Sequence, residues 1–284
     1  MRLLLLLLVS VFPFTMNGQK LHATIFGGFA NYYGDLQNKP FTLDQAKGAL
    51  GIGAKYDLTD KIAIRSGIMF GKIAATDAKN KAVLQFRNLS FQSSIFELNV
   101  LGEYTFFDMQ ERSLSPYVFG GIAMFHFNPY TYDTLGNKHF LKPLSTEGQG
   151  LSQYPDRKPY KLTQFAIPLG AGVKFRVTDN VILSYEFGLR KTFTDYLDDV
   201  SKTYVSDVAL ALARGQTAVD LAYRGDELKN GSLIYPTEGE ARGGEKYKDW
   251  YYFSGVSVAI GINTGGKGLF RGGSGKGSIG CPKF

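Results

Sequence analysis

Between Val181 and Arg190 the chain alternates with a period of two. Val181, Leu183, Tyr185, Phe187 and Leu189 fall on one side, and Ile182, Ser184, Glu186, Gly188 and Arg190 on the other. This pattern predicts a strand with one greasy face. It recurs along the chain and predicts eight strands: 21–33, 48–57, one from Ile62 to about Phe70, 90–107, 116–127, one from Ile167 to Arg176, the stretch beginning at Val181, and 250–263. In 48–57, Leu50, Ile52, Ala54 and Tyr56 oppose Gly51, Gly53 and Lys55, and in 90–107, Phe96, Leu98, Val100, Tyr104 and Phe106 oppose Glu97, Asn99, Glu103 and Thr105. Strand 116–127 is apolar or aromatic on both sides, with Tyr117, Phe119, Ala123 and Phe125 set against Val118, Ile122 and Met124.

The connections alternate in length. Tight or short turns at 58–61, 108–113 and 178–180 separate longer stretches after the first, third, fifth and seventh strands, including 72–88 and the proline-bearing 128–162. Short turns at one end and long loops at the other are the layout of an outer-membrane barrel. A secreted lipocalin-like barrel also has eight strands, but its apolar face points inward and its outer face is charged. Here the polar face carries Lys55, Arg65, Glu97, Glu103, Lys174, Glu186 and Arg190. Seven charges suit a lumen better than a ligand pocket. The fold class expected is therefore all-β, an eight-stranded antiparallel transmembrane β-barrel with long extracellular loops. Side chains fill the interior of so narrow a barrel, so those seven residues are expected to pair across it and leave no wide solute channel. For Lys55 and Arg190 a solvated position at a strand end is the alternative.

Arg2 followed by the apolar run Leu3–Phe14 and then Thr15, Met16, Asn17, Gly18 and Gln19 has the layout of a secretory signal peptide. Cleavage is expected near Gly18 or Gln19, and the run is too short to span a bilayer as a helix. A buried N-terminal helix is the competing reading, and six consecutive leucines without a polar face speak against it. No Cys lies near the expected cleavage site, which argues against a lipoprotein. The composition agrees with strands apolar on one face: 34 Gly, 17 Tyr against one Trp, and a mean hydropathy of −0.11. No later segment reaches the roughly 18 uninterrupted apolar residues of a membrane helix, so a membrane could be crossed only by a closed barrel. The expected division is signal peptide 1–19, barrel 20–263 and a glycine-rich tail 264–284. The tail's charges are Lys267, Arg271, Lys276 and Lys283, without an acid. An even strand count places both termini on the periplasmic side of a Gram-negative outer membrane.

No catalytic constellation stands out. His22, His126 and His139 are scattered, without the spacing of metal or triad chemistry, and no glycine-rich phosphate loop leads from a strand into a helix. No enzymatic activity, metal, cofactor or nucleic-acid partner is expected. The in-strand glycines are expected to relieve crowding in the lumen or mark bends. Ser206 and Asp207 are helix starters, and the segment after them is expected to be a short helix broken at Gly215.

The YYGDL at Tyr32–Leu36, the TDYLDDVS at Thr194–Ser201, the YRG at Tyr223–Gly225 and the DWYYFSGV at Asp249–Val256 together resemble the PorG-like outer-membrane barrels associated with type IX secretion. The resemblance spans most of the chain after the signal segment. It implies a non-enzymatic barrel in outer-membrane lipid that ties a periplasmic ring lipoprotein of the secretion machinery to the membrane. A general outer-membrane barrel with a binding or receptor surface made by its long loops is the alternative. Cys281 is the single cysteine of an exported chain, and an odd Cys there suggests an intermolecular bridge or a free thiol; a disulfide to a ring subunit is the expectation.

Overall fold

A computed structural model describes residues 21–262 apart from 38 and 41. The signal segment 1–19, the tail 264–284 and Cys281 lie outside the described residues. Ten strands form one sheet: β1 (Leu21–Tyr33), β2 (Lys47–Asp57), β3 (Ile62–Thr76), β4 (Ser90–Thr105), β5 (Leu114–His126), β6 (Pro129–Tyr132), β7 (Lys138–Phe140), β8 (Thr163–Thr178), β9 (Val181–Thr192) and β10 (Trp250–Ile262). Eight of them run antiparallel in the order β3-β2-β1-β10-β9-β8-β5-β4, and β4 pairs back onto β3 from Ile62↔Tyr104 to Thr76↔Ser90. The barrel is closed. Closure pairs every wall strand on both sides, which a sheet in hydrocarbon requires because lipid offers no partner for an open edge.

The side chains sort by parity. On the outside, Ile25, Leu50, Ile52, Ile122, Phe165 and Tyr185 are each more than half exposed, while the charged face of β4 is buried inside. This inverts the arrangement of a soluble barrel and fits a wall bathed in lipid. Among the described residues no helix is long and apolar enough to cross a membrane. Strand β5, apolar on both faces, turns Tyr117, Phe119, Ala123 and Phe125 inward and Val118, Ile122 and Met124 outward.

Inward aromatics fit because their neighbours lack side chains. Phe119 pairs with Gly170, which pairs with Gly188, and a Cβ on Gly170 would lie 2.3 Å from the Phe119 ring. Likewise Tyr117 pairs with Gly172, where a Cβ would meet the Tyr117 ring at 2.7 Å.

The long connections 34–46, 77–89, 127–162 and 193–249 gather at one end, and the short turns at 58–61, 106–113 and 179–180 lie at the other with Leu21 and Ile262. The long connections are folded. β3 was expected to end near Phe70 but continues to Thr76, because its pairing with β4 extends past the barrel wall. The chain then makes two 3-10 turns, Asp77–Lys79 and Ala82–Arg87, where only a loop was expected. Within the stretch read as a loop from 128 to 162, β6 and β7 form a hairpin that joins the sheet through Gln92↔Tyr130. In 193–249, α1 (Asp207–Arg214) starts at Ser206, whose hydroxyl accepts from the Ala209 N–H at 3.3 Å. Gly215, at φ +86°, ends it and opens α2 (Gln216–Ala222), a junction that suits glycine.

This crown has its own core. Leu36, Leu89, Phe127, Leu141, Leu197 and Val200 pack onto the barrel mouth, and Val205, Leu210, Ala218, Val219 and Ala222 form a second cluster under the helices.

Candidate functional site: the lumen and its crown

Strand β4 aims Glu97, Asn99, Glu103 and Thr105 into the lumen by the alternation of a pleated strand. Glu97, fully buried, receives Arg190 from the far wall as a two-bond fork, Nε to Oε2 at 3.1 Å and Nη2 to Oε1 at 3.2 Å. Tyr251 donates its hydroxyl to Oε2 at 2.7 Å and Asn99 its amide to Oε1 at 2.8 Å. Four donors meet one carboxylate.

Toward the short-turn end, Lys174 donates to Glu103 and, at 3.0 Å, pairs with the Thr105 hydroxyl. Arg65 bridges two carboxylates, 2.7 Å from Glu186 and 3.6 Å from Glu103, with its guanidinium over the Phe119 ring at 4.7 Å. Lys55 lies 3.0 Å from Asp57 and 4.0 Å from Glu103. Tyr117 reaches over Gly172 to donate to Glu186 at 2.7 Å. All seven charged residues read from the alternation therefore stand inside the barrel and in contact, Lys55 and Arg190 included, at 6% and 3% exposure. Asp57, Tyr117, Asn99 and Tyr251 complete the set, giving four cations and four carboxylates. Tyr251 was legible in principle, since it shares the parity of the inward Ser257.

Such a lumen binds little. The cavity beside Arg65, Glu186 and Arg190 measures about 40 Å³, and the one at the short-turn mouth, lined by His22, Lys55, Asp57 and Lys174, about 130 Å³. These are volumes for a few waters.

The crown holds a second buried polar system. Arg87 grips Asp77 with Nε to Oδ2 at 3.0 Å and Nη2 to Oδ1 at 2.7 Å, and also donates to the Arg242 carbonyl. Arg242 lies 3.1 Å from Glu147 and donates to the Asp199 and Ala222 carbonyls at 2.7 and 3.0 Å. Glu147 in turn accepts the backbone N–H groups of Ser201 and Lys202. Glu147 and Asp199 beside Arg242 raise its pKa above the ordinary arginine value. With Arg87 also donating to the Asp35 carbonyl at 3.2 Å, four connections are tied by two arginines. Asp199, fully buried, accepts from Tyr160 at 2.7 Å and Thr146 at 2.5 Å, and burial pushes its carboxyl up to about 6.

The histidines gain partners the sequence does not reveal. His22 lies 3.4 Å from Asp57, His139 2.9 Å from Asp133, and His126 3.0 Å from the Thr163 hydroxyl. Acidic neighbours were not expected; strand pairing supplies the first and the β6–β7 turn the second. Among the described residues no three His, Cys, Asp or Glu side chains converge so as to hold a metal ion.

The family model described as a domain of unknown function, DUF6089, matches residues 1–211, most of the chain. The chain belongs to the DUF6089 family. No curated protein matches it. Solved structures similar to this DUF6089 chain include Neisserial surface protein A, at 10% identity over 87% of this chain and 100% of that one with a TM-score of 0.42. A major outer membrane protein from Thermus thermophilus is similar at 13% identity, 87% and 100% coverage and a TM-score of 0.42. Ail of Yersinia pestis is similar at 8% identity, 87% and 100% coverage and a TM-score of 0.40.

In this DUF6089 barrel the short motifs singled out in the sequence converge at the crown. Tyr32 of YYGDL donates its hydroxyl to Asp198 of TDYLDDVS at 2.6 Å, and the same oxygen lies 3.1 Å from Asp249 of DWYYFSGV. Arg224 of YRG pairs with Glu227 and reaches the Thr131 hydroxyl on β6. Three of the four motifs, spread over more than 200 positions of sequence, share one site.

Proposed function

We propose that this chain is a non-enzymatic outer-membrane barrel that anchors or organises a periplasmic ring of a type IX-like protein secretion machinery. One observation carries the reading: the lumen is closed by the Glu97–Arg190 fork and the Lys55, Arg65, Lys174, Glu103 and Glu186 cluster beneath it. A barrel filled in this way is no conduit for protein or solute. What it offers is a lipid-facing wall and two end surfaces. On this reading the short-turn end faces the periplasm with both ends of the described chain, the basic segment 264–284 is what a ring lipoprotein binds, and Cys281 forms an intermolecular disulfide with it. The resemblance of the four motifs to PorG-like barrels supplies the ring as partner; outer-membrane lipid is the other.

The test is affinity purification of the full chain from detergent-extracted membranes, together with deletion of its gene. The reading expects a periplasmic ring lipoprotein to co-purify and secretion to fail on deletion. A barrel that purifies alone, with secretion intact in the deletion, contradicts it.

The folded crown favours a second reading, an outer-membrane barrel with a loop-based binding or receptor surface. Loops packed on a buried core present a fixed shape, whereas loops of an inert anchor need none.

A further inference from the structure

The crown joint between β1, the 194–201 segment and the start of β10 has too many acids for its bases. Asp198 is 1% exposed, Asp249 1% and Asp195 3%. The groups facing them are Tyr32 and Asp35 from β1 and its turn, Arg87 from the end of the second 3-10 turn, Glu147 from the 145–149 turn, Tyr160 before β8, Asp199 from their own segment, and Arg242 and Lys248 from the approach to β10. Arg87 is committed to Asp77 and Arg242 to Glu147. Lys248 donates to the Glu245 carbonyl and acts on Asp195 only from a distance. Among the described residues no lysine or arginine forms an ion pair with Asp195, Asp198 or Asp249, and Asp195 Oδ1 has no hydrogen-bond partner. An unpaired buried carboxylate is costly enough that such groups take up a proton instead.

Hydrogen bonding says where that proton sits. Tyr32 has one hydroxyl proton and two carboxylate oxygens beside it, Asp198 Oδ2 at 2.6 Å and Asp249 Oδ1 at 3.1 Å. The shorter contact takes the tyrosine proton. The longer then sets a lone pair against a lone pair unless Asp249 carries a hydrogen to donate. The outer oxygens already have donors, since Asp198 Oδ1 accepts from the Val200 N–H and Asp249 Oδ2 from the Leu197 N–H, both at 2.9 Å. Gly34 closes the site: a Cβ there would fall 2.0 Å from Asp249 Oδ1 and 2.1 Å from the Tyr32 hydroxyl. No side chain larger than glycine leaves the trio intact.

We propose that the crown is held shut by a proton on Asp249 Oδ1, donated to Tyr32, which donates to Asp198, and that loss of this proton frees the 194–201 segment from β1. The device closes in acid and opens in alkali. Burial and the neighbouring acids push the Asp198 and Asp249 carboxyls well above the ordinary range, which agrees with this direction.

The experiment uses the full chain in detergent micelles and chymotrypsin cleavage at Leu197, buried in the closed crown, and at its half-buried neighbour Tyr196, with rates normalised at each pH to an unstructured peptide of the same sequence. Because the closed crown holds a proton that the open one releases, the opening constant rises about tenfold per pH unit from the ordinary carboxyl pKa up to the raised one of the closed state. Wild type is expected to show that rise between pH 6 and 9, Asp249→Asn, which keeps an amide donor toward Tyr32, to stay flat and low, and Asp133→Asn in the exposed β6–β7 turn to keep the wild-type slope. A flat wild-type profile, an Asp249→Asn profile that rises like wild type, or opening that follows a chelator instead of pH overturns the proposal. If Asp249→Asn does not fold, the infrared spectrum of wild type decides: a protonated-carboxyl band present at neutral pH and lost in alkali supports the proposal, and its absence overturns it.

Discussion

Arg190 on β9 and Glu97 on β4, 93 positions apart in sequence and on non-neighbouring strands, meet as a two-bond fork through the middle of the barrel. Both side chains are buried. Removing one partner leaves the other charge buried and uncompensated, which costs about 3–5 kcal/mol. Glu97→Leu is therefore expected to lower unfolding stability by that order, and Glu97→Leu with Arg190→Met to recover most of it. Urea unfolding of the refolded barrel in micelles measures both, and a neutral shift in the single variant would remove Glu97 from the network.

The glycines beneath the lumen aromatics predict a steric effect. Gly172→Val places methyls where the Tyr117 ring lies, and overpacking of this kind costs about 1–3 kcal/mol. Tyr117→Ala in the same chain should relieve the contact with the ring, leaving the one with the Tyr185 carbonyl at 2.4 Å, while losing the bond to Glu186, so the double variant is expected to be less destabilised than the two single losses combined. Thermal unfolding of the four proteins gives the coupling.

Asp199 gives the crown a pH dependence with a definite sign. Its carboxyl is pushed up to about 6 from an ordinary 3.8, so between those values the folded chain binds more protons than the unfolded one. Stability then falls as pH rises through that window. Unfolding midpoints are expected to be higher at pH 4.5 than at pH 7, with a smaller difference in Asp199→Asn. Equal slopes in the two proteins would count against the assignment.

The barrel wall was readable in the sequence because lipid on one side and a packed lumen on the other impose a strict period of two, visible from Leu50 to Tyr56 and from Phe96 to Phe106. The charged residues of the lumen follow from the same parity. Their pairing does not, since Arg65 meets Glu186 across 121 positions through barrel closure alone. The direction of β5 was hidden because both its faces are apolar, and only Gly170, Gly172 and Gly188 opposite Tyr117 and Phe119 decide it. The crown was least legible. Its segments carry no period, and Arg87, Arg242 and Glu147 are ordinary charged loop residues until four connections fold around them.

Orientation yields a further expectation. On the proposed orientation the crown end faces outward, and its exposed tips include Leu135 at 85% exposure and Leu233 and Ile234 at 85% and 80%. Protease added to intact cells should cut near these tips. Cleavage at Leu58–Lys61 in intact cells would place the short turns outside and invert the barrel.

The central claim is that the barrel is filled and serves as an anchor. Planar-bilayer recording of the full wild-type chain tests it most directly, because an ion path through a narrow lumen cannot coexist with the Glu97–Arg190 fork and the charge cluster below it. The account predicts insertion without discrete conductance steps; stable, reproducible open-channel steps from the wild-type protein would contradict it.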